Sequence, residues 1–313
     1  MTADHHPDSV LFQGEKPFPV LPAVDHYAGS EKLMRKALAL QQEIGPLFDI
    51  TCDCEDGAHA GAEAEHARMA ASIVMSGDNR FGRVGARIHD ITHPHWEQDM
   101  DILVGEAGAR LAFLTLPKPR SVADAARQID ALRSAEERHG IEQAIPVHVL
   151  IETHGALRDA WEIAALDRVE SLDFGLMDFV SGHHGAIPGA AMRSPGQFEH
   201  PLIIRAKCDI AAAALAHGVV PSHNVTTELK DLAYIRCQAA KLLPDTCTIQ
   251  RVTRPSDGAG GYTETWTDYA THVPCRLAVD RTQPREELQA GQVAPAQRYW
   301  LTLQYDQAIA ITD

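Results

Sequence analysis

Residues 146–185 read PVHVLIETHGALRDAWEIAALDRVESLDFGLMDFVSGHHG. Two apolar runs stand in this stretch, Val147–Ile151 and Leu172–Met177, and a single carboxylate follows each, Glu152 and Asp178. Runs of this length read as strands buried on both faces of a parallel sheet. Between them, 155–166 carries Leu157, Trp161, Ile163, Ala164 and Leu166 at helical spacing. The unit is strand–helix–strand with an acid at the C-terminal tip of each strand. In a β/α barrel those tips share one mouth, where catalytic groups gather. Two carboxylates there repel unless a proton or a cation lies between them. A hard divalent ion such as Mg2+ takes one or two carboxylates and leaves its other positions to water and substrate. Glu152 and Asp178 are therefore candidate metal ligands. The competing reading is that each acid caps the helix after it.

Outward from this unit the alternation continues. Strands are predicted at Val20–Val24, Phe48–Cys54, Val84–Ile88 and Leu111–Leu116 before it, and at Val219–Pro221 after it. Helices fall between them, the first over 30–44 with Leu33, Ala37, Leu40 and Ile44 as its apolar positions, the last over 227–240. Ser121 and Asp124 make a capping pattern for the helix that stops near Gly140. Seven strands alternating with helices argue for a parallel β/α barrel, and no eighth strand follows. After Lys241 the text becomes alternating and turn-rich (CTIQRV, PSDGAGG, YTETWTDY, VPCRLAV, RYWLTLQY), the pattern of short antiparallel strands. The expected fold class is α/β: a (β/α)8 TIM-type barrel over 1–241 that lacks its usual eighth strand, then a small antiparallel β domain over 242–313. A barrel without its last strand leaves strands one and seven with unpaired edges, which predicts a protein more prone to aggregate than a complete relative.

Composition excludes several classes. The chain has 313 residues, with 43 acids against 28 Lys+Arg and a formal net charge of −15. A broad basic face for nucleic acid is not expected. No apolar run reaches the ~18–20 residues of a membrane span, and MTADHHPDSV at the start has no signal-peptide character; the expected location is cytoplasmic. Six cysteines at 52, 54, 208, 237, 247 and 275 include no CxxC pair and read as reduced thiols, with Cys52 and Cys54 packing along one strand. Residues 1–18 read as a loosely held arm. There is no internal repeat and no Gly-rich phosphate loop.

Other candidates cluster at the same rim. Arg87, near the end of strand three, can hold a carboxylate or stabilise an enolate oxygen, or else pair structurally with an acid. Asp53, Glu55 and Asp56 end strand two; three acids are too many for one ion, so some of them orient Arg87 or metal-bound water. Lys118 ends strand four in a Pro-Lys-Pro setting that reads as a rigid rim carrying a charge, with Schiff-base chemistry as the alternative. His154, His183 and His184 follow the two candidate ligands closely and could carry protons, although 17 histidines make such proximity common. His93 and His95 flank Pro94 and form a weak metal pattern.

Five motifs, DCEDG, GARIHD, LTLPKP, VLIETHGAL and LDFGLMDF, in this order and with 26 residues from Glu152 to Asp178, resemble the citrate lyase β-subunit/malyl-CoA lyase family of the HpcH/HpaI aldolase superfamily over about 10–241. The resemblance implies a (β/α)8 barrel, Mg2+ on Glu152 and Asp178, a substrate-binding arginine at Arg87, and the family's acidic motif on Asp53, Glu55 and Asp56. With it come catalytic roles for Arg87, Glu55 and Asp56, and substrate contacts for Arg87, Asp53 and Lys118. The implied chemistry is cleavage or condensation of a carbon–carbon bond in a hydroxyacyl-CoA thioester or related hydroxy or keto acid, through an enolate, in a homo-oligomer. The family's closing strand and its C-terminal segment are missing from the pattern after IRCQAAK. From Leu243 onward the sequence instead resembles a tailed-phage head–tail joining protein. Two alternatives follow: a barrel that binds a CoA ester without turnover, or a structural phage module carried by the tail.

Overall fold

The computed structural model describes residues 19, 21–22, 24–58 and 60–225, and in the tail the backbone of five strands between 245 and 303. Contacts divide the chain into two compact units, before and after Val225. The arm at 1–18, the helix predicted over 227–240 and the boundary placed at Lys241 all lie outside the described residues.

In the first unit seven parallel strands form one sheet in sequence order. They are β1 (Val24–Ala28), β2 (Phe48–Asp53), β3 (Val84–Arg87), β4 (Leu114–Leu116), β5 (Val147–Ile151), β6 (Val169–Phe174) and β7 (Val220–Ser222). The helices between them are α1 (Glu31–Ile44), α2 (Glu63–Met75), α3 (Trp96–Ala107), α4 (Val122–His139), α5 (His154–Arg158), α6 (Ala160–Ala164), α7 (Leu176–Gly182), α8 (Gly196–Glu199) and α9 (Pro201–Ala216). This is the open TIM-type barrel the alternation implied. Among the described residues β1 pairs only with β2 and β7 only with β6.

Several boundaries move for identifiable reasons. β1 begins at Val24, not Val20; Pro22 has no N–H to give a ladder. β6 ends at Phe174, not Met177. The next residue is Gly175, where an added Cβ would collide with Glu152 Oε2 and with its Cβ, so the chain turns there into α7. Asp178 is therefore not a strand-tip residue but lies in the first turn of α7. The single helix predicted over 155–166 is two, α5 and α6, broken at Asp159, whose Oδ2 accepts the Val122 N–H at 3.0 Å and so ties this bend to the start of α4. The cap predicted at Ser121 forms, with Oγ accepting from Asp124 N at 3.3 Å.

The core is one apolar cluster between sheet and helices, and it includes the buried thiols Cys52 and Cys54. α1 presents Met34, Ala37, Leu38 and Gln41 to it, the i, i+3, i+4, i+7 face of a helix. That face is rotated from the predicted one: Leu33 and Leu40 are exposed. Gln41 is buried because its amide donates to Phe48 O at 2.7 Å.

In the second unit β8 (Asp245–Thr253), β9 (Thr265–Val279) and β12 (Tyr299–Leu303) form a three-stranded sheet in the order β12–β9–β8, with β10 (Arg285–Gln289) and β11 (Gln292–Ala296) as a hairpin. Every pairing there is antiparallel, as the alternation implied.

Candidate active site

The C-terminal ends of β2, β3, β4 and β5, with the first turn of α7, bring seven charged side chains together. Glu152 follows β5 directly. It is not a cap: that role belongs to Thr153, whose hydroxyl accepts from Ala156 N at 3.0 Å. Glu152 is 4% exposed, and its Oε1 accepts the backbone N–H of Lys118 at 2.9 Å. Lys118 reaches this position in the left-handed region, at φ 50°, between Pro117 and Pro119. A non-glycine residue held there costs about 1–3 kcal/mol and usually marks a functional turn.

The Lys118 side chain spans the acids. Its Nζ lies 3.0 Å from Glu55 Oε1, 3.0 Å from Asp56 Oδ2 and 3.7 Å from Asp178 Oδ2. Arg87 is held from the other side. Its Nε and Nη2 donate to the two oxygens of Asp53 at 2.8 and 2.7 Å, and its Nη1 sits 2.8 Å from Glu55 Oε2. The guanidinium also lies over the Tyr27 ring, 5.3 Å from its centroid. Asp53 is committed to this clamp, since its oxygens also accept the N–H groups of Glu55 and Gly57 at 3.0 and 2.9 Å. It faces Arg87, not the cavity.

Five carboxylates (Asp53, Glu55, Asp56, Glu152, Asp178) thus meet two cations, a formal excess of three negative charges. The protonation balance shows it. Burial, then the charges of Asp178 and Glu55, push Glu152 up to about 8. Burial pushes Glu55 up to about 7 against the pull of Arg87 and Lys118. Burial works against ionised Asp53 as well, yet its Arg87 bonds and two backbone donors win and hold it low. Lys118 loses stabilisation to burial and regains more from Glu55 and Asp56, so it is raised and stays charged; a lysine held cationic among carboxylates is a poor Schiff-base nucleophile.

Glu152, Asp178 and Lys118 line a cavity of about 480 Å3. The three histidines singled out from the sequence line it too. His154 Nε2 donates to Gly182 O at 3.0 Å and His183 Nδ1 to Phe179 O at 2.6 Å, their rings 4.4 Å apart. Asp90, Thr92 and Arg120 also stand in its wall and were not anticipated. Asp90 and Thr92 form an Asx turn, with Thr92 N donating to Asp90 Oδ1 at 2.8 Å; the Asp-x-Thr pattern after strand three is the readable trace of it. His93 stacks on His89 at 4.0 Å and His95 meets Gln98 at 2.9 Å.

The donor set suits a hard divalent cation. It offers carboxylate oxygens, one of them buried and short of positive charge, facing a cavity with room for water and a ligand. No cluster of three or more His, Cys, Asp or Glu side chains is gathered tightly enough among the described residues to enclose an ion by itself. A two-carboxylate magnesium site does not require one.

The HpcH/HpaI aldolase/citrate lyase family profile matches residues 46–251, more than half of the chain. The chain belongs to this family. Within it, the chain is similar to a citrate lyase from Burkholderia xenovorans LB400, with 56% identity and a TM-score of 0.69 over 72% of this chain and 70% of that one. It is similar to L-malyl-CoA/beta-methylmalyl-CoA lyase of Cereibacter sphaeroides strain ATCC 17029, 29% identical over 206 residues, covering 61% of this chain and 63% of the relative. The chain therefore spans less than two thirds of the length of that curated relative. A citrate lyase β subunit from Mycobacterium tuberculosis, solved with oxaloacetate and magnesium, shares the fold at 18% identity and a TM-score of 0.56, over 72% of this chain and 88% of that one. The homologues are lyases. The family match runs past Lys241, where the family-like motifs end, into β8. No helix among the described residues is long and apolar enough to cross a membrane.

Proposed function

We propose that the protein is a Mg2+-dependent carbon–carbon lyase acting on a hydroxyacyl-CoA thioester or a related hydroxy or keto acid. One observation carries the reading: Glu152 and Asp178 face the same cavity beside Lys118, with an excess of negative charge around them. The relatives' names, and the magnesium and oxaloacetate in the mycobacterial neighbour, support the same class.

Glu152 and Asp178 would hold the ion. When bound, Mg2+ supplies Lewis acidity to the substrate oxygen that becomes a carbonyl. Lys118 and Arg87 add fixed positive charge where negative charge develops on the enolate fragment. Asp53 acts through Arg87, fixing the fork in one orientation. Glu55, raised to about 7, sits within reach of Lys118 and is the candidate for moving a proton near neutrality, with Asp56 beside it on the same ammonium. A homo-oligomer belongs to this reading and is checked by sedimentation.

The test is release of acetyl-CoA, glyoxylate, pyruvate or oxaloacetate from malyl-CoA, citramalyl-CoA and citryl-CoA, with and without EDTA. We expect Mg2+-dependent product from at least one of them, absent in Glu152→Ala. A second reading, a CoA-ester-binding barrel without turnover, draws on the edges of β1 and β7, which are unjoined among the described residues. Saturable binding of a thioester with no product under any metal would favour it.

A further inference from the structure

We propose that Lys118 is the resident counter-ion of the acidic cavity, and that a divalent cation must displace its ammonium from Asp178 in order to bind. Lys118 is thus a positioning residue that sets the metal affinity of the site. The inference rests on the reading of Glu152 and Asp178 as ligands.

Lys118 touches both proposed ligands by different means. Its backbone N–H is fixed on Glu152 Oε1 at 2.9 Å, between two prolines and at a φ that leaves the turn little freedom. Its ammonium is on a flexible four-carbon stem. Of the three acids around Nζ, Glu55 and Asp56 are at 3.0 Å while Asp178 is at 3.7 Å and the latter's side chain is 42% exposed. The contact with Asp178 is the longest of the three and can be lost while two partners remain. A divalent ion on Asp178 and Glu152 would lie within a few ångströms of Nζ, where like charges repel strongly in a partly buried setting. The backbone donor to Glu152 stays in place while the ammonium withdraws toward Glu55 and Asp56. The same residue therefore organises one ligand and guards the other.

The experiment measures Mn2+ affinity by EPR or water-proton relaxation in the full chain and in Lys118→Met, which keeps the stem and removes the charge. Lys118→Arg keeps the charge, and Lys118→Gln serves if the Met variant misfolds. We expect Lys118→Met to bind Mn2+ roughly ten-fold more tightly and Lys118→Arg to stay near wild type. Without metal, Lys118→Met should melt below wild type, and Mn2+ should raise its melting temperature by the larger increment. Equal or weaker Mn2+ binding by the folded Met or Gln variant overturns the inference. Glu152→Gln and Asp178→Asn separate the two layers. If they abolish Mn2+ binding while Lys118→Met fails to tighten it, only the counter-ion role falls. If they leave it unchanged, the ligand reading falls as well and takes the inference with it. Binding by Lys118→Met where wild type shows none supports displacement; none by either overturns it.

Discussion

Two groups of carboxylates sit at different depths on the same sheet. At the rim, Glu152 and Asp178 face a cavity beside Lys118, and Glu55 pairs with both Lys118 and Arg87 behind it. Elsewhere on the sheet, Asp25 near the start of β1 accepts the Thr51 hydroxyl at 2.8 and 2.9 Å, and Asp173 on β6 accepts the Ser171 hydroxyl. Between them stands His148, with Nε2 2.9 Å from Glu170, Nδ1 3.9 Å from Asp173 and its ring stacked 4.0 Å over Phe113. Burial pushes Asp25 up to about 7 and Asp173 in the same direction; it works against the charged form of His148, which the surrounding acids raise nonetheless. The rim is neutralised by permanently charged side chains, Arg87 clamped by Asp53 and Glu55 and Lys118 on a flexible stem. The interior is neutralised by protons, hydroxyls and one imidazole held in place. An ion and a substrate can exchange only with the first arrangement.

The largest contrast is in function. On the proposed function, Glu152→Ala should lower turnover by about 10^3-fold or more, because it removes a proposed ligand whose role would be made in the reacting complex. Asp25→Asn, at an acid that likewise is raised by burial, should stay within about three-fold. Equal losses in the two variants would mean that the two clusters form one functional unit. Next comes the anchor of the rim. Asp53→Asn breaks a two-pronged buried pair with Arg87, 10% and 6% exposed, and leaves the guanidinium without its partner; about 3–5 kcal/mol of stability should go, read by urea unfolding. A loss below 1 kcal/mol would show that Glu55 alone can hold Arg87.

A smaller step probes packing against Glu152 itself. At Gly175 a Cβ would collide with the Glu152 carboxylate, so Gly175→Ala should cost about 1–3 kcal/mol and weaken Mn2+ binding together with it. Gly140, at φ 66° in the C-cap of α4 with open space around its Cα, is the control. Gly140→Ala should cost about 1 kcal/mol from backbone conformation alone and leave Mn2+ binding unchanged.

The rim was readable because its residues end apolar runs, and a lone acid after such a run is conspicuous. Glu152, Arg87 and Lys118 were placed at the rim this way. Asp178 was placed at a strand tip because nothing in LDFGLM shows that Gly175 must yield to Glu152. The φ of Lys118 and its backbone bond to Glu152 could not be foreseen either, since both depend on a contact across 34 residues. The interior cluster left a signal that went unread. In β2, β5 and β6 the polar residues Asp49, Thr51, Asp53, His148, Ser171 and Asp173 fall at alternate positions, the spacing of one strand face. The runs at 147–151 and 172–177 read as apolar, yet β5 carries His148 and β6 carries Ser171 and Asp173 on one face. The first helix shows the same limit at smaller scale: Leu33 and Met34 are equally apolar, and only the sheet decides which one is buried.

The two clusters can also be separated through the pH dependence of stability. An acid raised in the folded state keeps its proton while the unfolded chain has already lost it, so the fold loses stability as pH rises between the two values. For Glu152 the window runs from 4.5 to about 8, for Asp25 from 3.8 to about 7 and for Glu55 from 4.5 to about 7. His148, raised from 6.5, has the same sign, its stabilisation being present below 6.5 and lost as pH climbs through its folded value. Asp53, lowered from 3.8, acts only below this window, where its contribution fades as pH falls. The metal-free melting temperature should therefore decline from about pH 4.5 to pH 8. If Glu152 is a ligand as proposed, saturating Mn2+ should keep it ionised in the folded state and remove the rim share of the slope, most visibly above pH 7. Asp25→Asn should remove the interior share and leave the Mn2+ effect intact. Four melting curves, wild type and Asp25→Asn with and without Mn2+, separate the two. If Mn2+ flattens the slope in wild type but not in Asp25→Asn, the clusters titrate together, and the division between a mobile rim and a fixed interior is wrong.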